Sequence, residues 1–305
     1  MLLNQTHTIV ICNQKGGCGK TTSSVNAGAA LAEAGYRVCL IDMDPQCNLT
    51  NNFKDKLDAV SIDGDTDAEY FTIFDVMVGN QKAEDSAITF PDHYDGNLSI
   101  IPGVKNLSSI SRIFDNTIQA TIASENHSDI DADDIRVEQR HVLKEAFKSL
   151  EGKFDFIIVD TPPDLDFLLT VSLIAADWTI IPVQPSEYDV EGIVALIDTI
   201  RKVRERYNPS LGFMGVLLCR YVHRINLDKG FLAMLSEEFG DELMLPPVGN
   251  YKDCREAPTD HVTVLEHAPK CDASEAYRKV AQSIVKKVLQ FEGKVANRLH
   301  TVNSK

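Results

Sequence analysis

The residue types best suited to chemistry cluster early in the chain. Lys15-Gly16-Gly17-Cys18-Gly19-Lys20-Thr21-Thr22 places three glycines, two lysines and two hydroxyls within one short stretch. Glycines let a backbone fold closely around an anion with its N–H groups turned inward. A lysine at position 20 would reach the terminal phosphates of a nucleotide, and the Thr21 hydroxyl would ligate Mg²⁺. Carboxylates follow in Asp42-Met43-Asp44-Pro45-Gln46, and again in Val159-Asp160-Thr161-Pro162-Pro163. An apolar run that closes on Asp160 fits a carboxylate holding a water on Mg²⁺. Lysines, a hydroxyl and acids in this order suit phosphoryl transfer from a magnesium nucleotide.

These groups need elements to aim them. Ile9 to Cys12 reads as a buried strand, and the Ala-rich stretch Lys20 to Ala34 as a helix stopped by Gly35. Strand, Gly-rich loop and helix in succession form a phosphate cradle. Further strands are expected at Arg37 to Ile41, Leu98 to Ile101, Phe154 to Val159, Trp178 to Val183 and Leu211 to Cys219. Helical periodicity is read at Tyr70 to Val78 and at Val137 to Leu150. It recurs after Asp189, on a stripe of Val190, Ile193, Val194, Ile197, Ile200 and Tyr207, and again at Asn226 to Phe239. Strands alternate with helices throughout. The expected fold class is therefore α/β, a doubly wound, mainly parallel sheet with helices on both faces, in one P-loop domain spanning 1–305. Asp42 and Asp44 would then stand at the carboxyl end of a strand, where such sheets bind ligands.

The chain has 305 residues and a formal net charge of −15, which taken whole speaks against nucleic-acid binding. The charge is uneven. Residues 51–140 hold 18 acidic and 7 basic side chains, whereas residues 276–305 hold 7 basic ones and a single glutamate. Acidic surface insertions are expected near 51–97 and 120–135, and a basic helix and tail at 276–305. Ser61 to Asp67 alternates oxygen ligands but lacks the glutamate and spacing of a calcium loop, so it reads as solvated surface. No apolar stretch reaches the ~18 residues of a membrane span. Seven cysteines form no C-x-x-C pair, and no secretory leader is legible, so free thiols in a reducing cytoplasm are expected. A redox role for Cys18 is weighed against simple packing, and packing is preferred.

The loop departs from the general pattern G-x-x-x-x-G-K-[ST]: Gln14 stands where the first glycine belongs, and Lys15 is an added lysine. In this it resembles the deviant Walker A box of the ParA/MinD family of ATPases. The segment Asp42 to Asn48 is similar to that family's D-x-D-P-Q-x-N, with Cys47 where glycine is usual. Asp160-Thr161-Pro162-Pro163 and Glu256-Ala257-Pro258 match two further motifs. The Asp164-Leu165-Asp166 that follows is more acidic than the family's usual small residues.

The resemblance implies an ATP- and Mg²⁺-dependent ATPase of slow intrinsic rate. Lys15, Lys20 and Asp44 would be catalytic, and Thr21, Asp42 and Asp160 would serve the metal. Gly16, Gly17, Cys18, Gly19 and Thr22 would cradle the nucleotide, with Pro247 and Glu256 on the segment that wraps the adenine. It also implies an ATP-dependent homodimer with Lys15 at the shared nucleotide and non-specific DNA binding. A ParB-like partner would stimulate hydrolysis during plasmid or chromosome partition. Arg224, in Arg-Ile-Asn-Leu, resembles a DNA-contacting arginine. Lys252 comes next, with Arg255, Lys279, Lys286 and Lys287 behind it.

The alternatives are a relative that positions a protein cargo, and a MinD-like membrane-cycling switch. The tail after Phe291 is weakly apolar for membrane insertion, so no stable membrane association is expected. An iron–sulfur carrier ranks low, because no cysteine lies between Cys47 and Cys219. No helix-turn-helix is legible before Thr8, which argues against an operator-binding role.

Overall fold

A computed structural model describes residues 3–60, 70–124, 132–185 and 189–303. Seven strands form one sheet: β1 (His7–Ile11), β2 (Val38–Asp42), β3 (Ile88–Thr89), β4 (Leu98–Ile101), β5 (Phe156–Asp160), β6 (Trp178–Val183) and β7 (Gly212–Leu218). Their order across the sheet is β3-β4-β2-β5-β1-β6-β7, and every pairing is parallel except β3 with β4. The inner strands are continuous β-branched and apolar runs because both faces are covered. Alternation still sorts their side chains. Ile9, Ile11, Leu40 and Ile158 face one helical layer, and Val10, Cys12, Cys39, Ile41 and Val159 face the other.

The first layer holds α1 (Lys20–Glu33) and the C-terminal helix Asp272–Asn303, which pack on each other. Leu31, Tyr277, Val280, Ile284 and Val288 are all buried in the core this layer shares with the sheet. The second layer includes Phe167–Ala175, Asp189–Arg206 and Asn226–Phe239. The foot of the C-terminal helix is fastened at Glu292, which accepts from Asn4 and lies 3.1 Å from His7 Nε2, while Phe291 packs edge-on to Trp178.

Register places the chemistry. Ile11 pairs with Asp160, and Asp42 pairs with Asp160, so the ends of β1, β2 and β5 finish level. The loop after β1 therefore lies beside both carboxylates. Strand β3 was not expected; it is a two-residue edge. The stretch read as one helix at Val137 to Leu150 is broken, with Ala132–Arg140 and Val142–Phe147 separated at His141 (φ −90°, ψ −1°) and a 3₁₀ turn closing at Leu150. Val194 leaves the buried stripe and is 60% exposed. The Ser61 to Asp67 segment lies outside the described residues. Its flanks join the core, where Phe53 stacks on Phe90 and Ile73, Val76 and Met77 are buried. No helix among the described residues is long and apolar enough to cross a membrane.

Candidate active site

The loop between β1 and α1 is shaped by its glycines. Gly17 (φ 74°) and Gly19 (φ 100°) occupy the left-handed region that a side chain would strain. Gly19 is the N-cap of α1; no side chain caps that helix and its first turn carries no acid. The backbone N–H groups of its opening turn thus await an anion. Lys20 is buried, and its Nζ donates to the Lys15 carbonyl at 3.2 Å. The Lys15 N–H is in turn held by Asn13 Oδ1. Cys18 is buried in the packing, as expected of a variable loop position.

The acids are organised by hydroxyls. Asp160 Oδ2 accepts from Thr21 Oγ1 at 2.6 Å and Oδ1 from Ser24 Oγ at 2.9 Å. Burial pushes the Asp160 carboxyl up to about 7, with neighbouring Asp42 adding to the shift and the two hydroxyls opposing it. Asp42 is likewise fully buried. Its Oδ2 accepts from the Thr50 amide at 2.8 Å and the Thr50 hydroxyl at 2.7 Å, and its Oδ1 from the Asp44 amide at 3.1 Å. Burial raises it to about 6 against those hydrogen bonds. Two buried acids in register, plus the Thr21 hydroxyl, offer hard oxygen ligands and negative charge, which suits Mg²⁺. Both oxygens of each acid already accept hydrogen bonds, so Asp42 and Asp160 alike supply charge behind the Thr21 hydroxyl. Asp44 reaches the cleft wall.

The cleft itself has a volume of about 490 Å³, within the range of ligand pockets. Gly16, Gly17, Gly19, Lys20, Thr21 and Thr22 line one side, with Asp44 and Pro163 near them. Asn26, Asn51, Asn52, Ala257, Pro258 and His261 line the rest. Thus the adenine segment of the sequence reading does border the cleft, but through Ala257 and Pro258. Glu256 turns away to Lys252 (3.4 Å) and His267 (3.8 Å), and Pro247 is exposed and outside the lining. Cys47 has φ 55°, which accounts physically for glycine being usual there.

Several contributors carry no motif. Thr50 and Ser24 hold the acids, and Arg220 enters the cleft lining from the end of β7. Arg220 reaches the cleft because the neighbouring Cys219 approaches the loop at Gly19, which its neighbours in sequence do not signal. Arg224, Lys252 and Arg255 are exposed. They sit on two segments joined by the bridge Tyr221↔Gly249. On the C-terminal helix, Arg278 is committed to Glu33 at 2.6 and 2.8 Å and Lys287 to the Glu242 carbonyl, which removes both from a free basic face.

Comparison with known proteins agrees with this fold. Residues 6–213 match the family model described as an AAA domain. Chromosome partitioning protein ParA of Caulobacter vibrioides is 30% identical over 300 residues, covering 97% of this chain and 100% of that protein. Sporulation initiation inhibitor protein Soj of Bacillus subtilis is 30% identical over 279 residues, 90% of this chain and 97% of that one. Among solved structures, cobyrinic acid a,c-diamide synthase of Mycobacterium smegmatis, with bound ATP analog and magnesium, is 26% identical with a TM-score of 0.66; the match covers 92% of this chain and 95% of that one. A plasmid partition protein of Borrelia burgdorferi bound to AMPPNP has a TM-score of 0.71 at 24% identity, covering 92% and 99%. Sheet order, glycine loop and paired acids define a P-loop nucleotide-binding fold. With the loop lysine Lys15 and relatives along nearly its whole length, the chain belongs to the ParA/MinD family of ATPases.

Proposed function

We propose that the protein is a ParA-type ATPase that uses Mg·ATP to switch between a DNA-bound dimer and a released form, and so drives partition of a plasmid or chromosome. The observation that carries this is the cleft in which the uncapped start of α1, Lys20, the Thr21–Asp160 pair and Asp44 converge. Bound Mg²⁺ would neutralise the phosphates' charge. Thr21 presents its hydroxyl to the metal, and Asp160 fixes that hydroxyl. Lys20 and the N–H groups of α1 hold the terminal phosphates. Asp44 orients the attacking water from the cleft wall.

Lys15 lies beside Lys20 at the start of the loop and adds a second cation at the phosphates, in reach of a second subunit. Slow hydrolysis fits a site that needs a further element for the transition-state charge, and a ParB-like activator supplies it. The exposed Arg224, Lys252 and Arg255 contact DNA phosphates without reading sequence.

The test is ATP hydrolysis and ATP-dependent mass in solution. Wild-type protein should hydrolyse ATP with Mg²⁺ and become dimeric. Asp44→Ala should bind ATP, dimerise and turn over at least tenfold more slowly, given the ~10²–10⁴-fold worth of a positioned acid–base group. Wild-type turnover in Asp44→Ala would remove Asp44 from this role.

A further inference from the structure

The geometry points to a metal site outside the nucleotide cleft: Asp253, Glu256 and His267 hold a divalent transition metal ion of the zinc class.

Asp253 and Glu256 stand three residues apart on the single turn Asp253–Glu256, a spacing that puts both carboxylates on one face. His267 closes a second turn, Val264–His267. That turn is fixed at its start, where the Glu266 amide donates to Thr263 Oγ1 at 3.2 Å and the Thr263 amide to Glu266 Oε2 at 2.9 Å. The Val264 amide donates to Asn26 Oδ1 at 2.8 Å, which ties the turn to α1. Ala257, Val264 and Ala273 form a small buried cluster beneath the two turns. On this framework one ligand atom from each of Asp253, Glu256 and His267 lies within 4.8 Å of the other two. None of the three residues lines the cleft or its adjoining recess.

The imidazole separates this group from an ordinary acidic surface. His267 Nδ1 lies 3.0 Å from Asp260 Oδ2, which holds the ring and keeps its proton on Nδ1. Nε2, the atom left for a metal, makes no hydrogen bond with any described residue. Its nearest carboxylate oxygen, Glu256 Oε2, is 3.8 Å away. That is too long for a hydrogen bond, and close to the roughly 3.4 Å between neighbouring ligands of a tetrahedral zinc with bonds of about 2.0–2.1 Å. A carboxylate behind a histidine behind a metal is the usual order of such centres. Asp253 and Glu256 also repel each other across one turn, and a shared cation relieves this. Lys252 is the competing cation, 3.4 Å from Glu256 Oε2, but its side chain is 72% exposed and such a pair is easily displaced.

One nitrogen and two carboxylates select the ion. Mg²⁺ takes oxygen ligands and keeps its waters, whereas imidazole favours zinc and its neighbours. Three protein ligands leave a fourth position to water. The ligands bracket the turn Ala257–Asp260, of which Ala257 and Pro258 line the cleft, so a bound ion would fasten that wall from behind.

Calorimetric titration of the full chain with ZnCl₂, in excess MgCl₂ and without nucleotide, should show one Zn²⁺ bound at micromolar or tighter affinity. Asp253→Asn, Glu256→Gln and His267→Gln should each weaken it by at least about tenfold, and Asp260→Asn by about tenfold, as for loss of an outer carboxylate. The Glu256 and Asp260 side chains are 49% and 58% exposed, so a loss in those variants is not a folding defect. Cys254→Ser and Cys271→Ser, which alter the nearby thiols, should retain the site. Co²⁺ in place of Zn²⁺ should give no thiolate charge-transfer band. Absence of Zn²⁺ uptake in magnesium overturns the proposal. So does wild-type affinity in both Glu256→Gln and His267→Gln, or a loss in either serine variant, which would move the metal to the thiols.

Discussion

Thr50→Val tests whether the acids are held as described. The Thr50 hydroxyl donates to Asp42 Oδ2 at 2.7 Å and accepts from the Gly103 amide at 2.8 Å, in a region closed to solvent. Valine has nearly the same shape and removes both bonds. Losing a hydrogen bond to a charged acceptor costs about 1.5–3 kcal/mol, and stranding a buried N–H costs about 1–3 kcal/mol. Gly103 already lies close to the Asp42 backbone: a Cβ added there would stand 2.7 Å from the Asp42 carbonyl oxygen. The expected loss is therefore about 2.5–6 kcal/mol. Thr50→Ser keeps the hydroxyl and should lose less than about 1.5 kcal/mol, as for deletion of one methyl. Urea unfolding at pH 8, where Asp42 is ionised, reads the difference as a shift in midpoint at constant slope. If the two variants unfold within 0.5 kcal/mol of each other, taken as about the reach of a surface substitution, the hydroxyl is not organising the site.

Three other outcomes are expected. Cys47→Gly should raise stability by about 1 kcal/mol, because it relieves a left-handed residue, whereas Cys47→Val should lower it; denaturant midpoints decide. Arg224→Ala should weaken binding to random-sequence DNA at unchanged ATP affinity, and should flatten the log–log salt dependence by about one unit if one phosphate contact is lost; an unaltered slope refutes the contact. Asp155 accepts from the Arg37 amide at 2.8 Å and from its Nη2 at 2.9 Å. Burial alone would raise this carboxyl, but hydrogen bonds and charge from Arg37 outweigh it and hold it below the usual range. A depressed folded value contributes stability above the unfolded value, near pH 4, that is lost as pH falls through the folded one. Asp155→Asn should therefore be less stable than wild type at pH 7 and approach it in acid; a constant gap across that range would refute the linkage.

Much of the fold was legible because its signals are local. Continuous apolar runs marked every inner strand, and Gly35 and Gly79 marked stops. The two-residue β3 gave no such signal, since Ile88-Thr89 becomes a strand only by meeting Ser99 and Ile100. Phe167–Ala175 is buried on most sides and so shows little amphipathic period. The phosphate end of the site was legible in its glycines, lysines and acids. Its supports were not: Ser24 meets Asp160 across 136 positions, and Arg220 meets the loop only through the close approach of Cys219 to Gly19. Glu256 was carried over with its triplet, but its side chain is claimed by Lys252 and His267, leaving Ala257 and Pro258 at the cleft.

The clasp at Glu292 has a practical consequence. Asn4 and His7 stand at the foot of β1, and the cleft lies beyond the strand's other end, about 16 Å away for five residues at ~3.3 Å each. The molecule thus has a handle. A fluorophore or surface tether placed near residue 4 would sit behind the sheet and leave the nucleotide mouth and the Arg224 loop facing outward. Single molecules held that way could be watched through loading, turnover and release without the label competing for either surface.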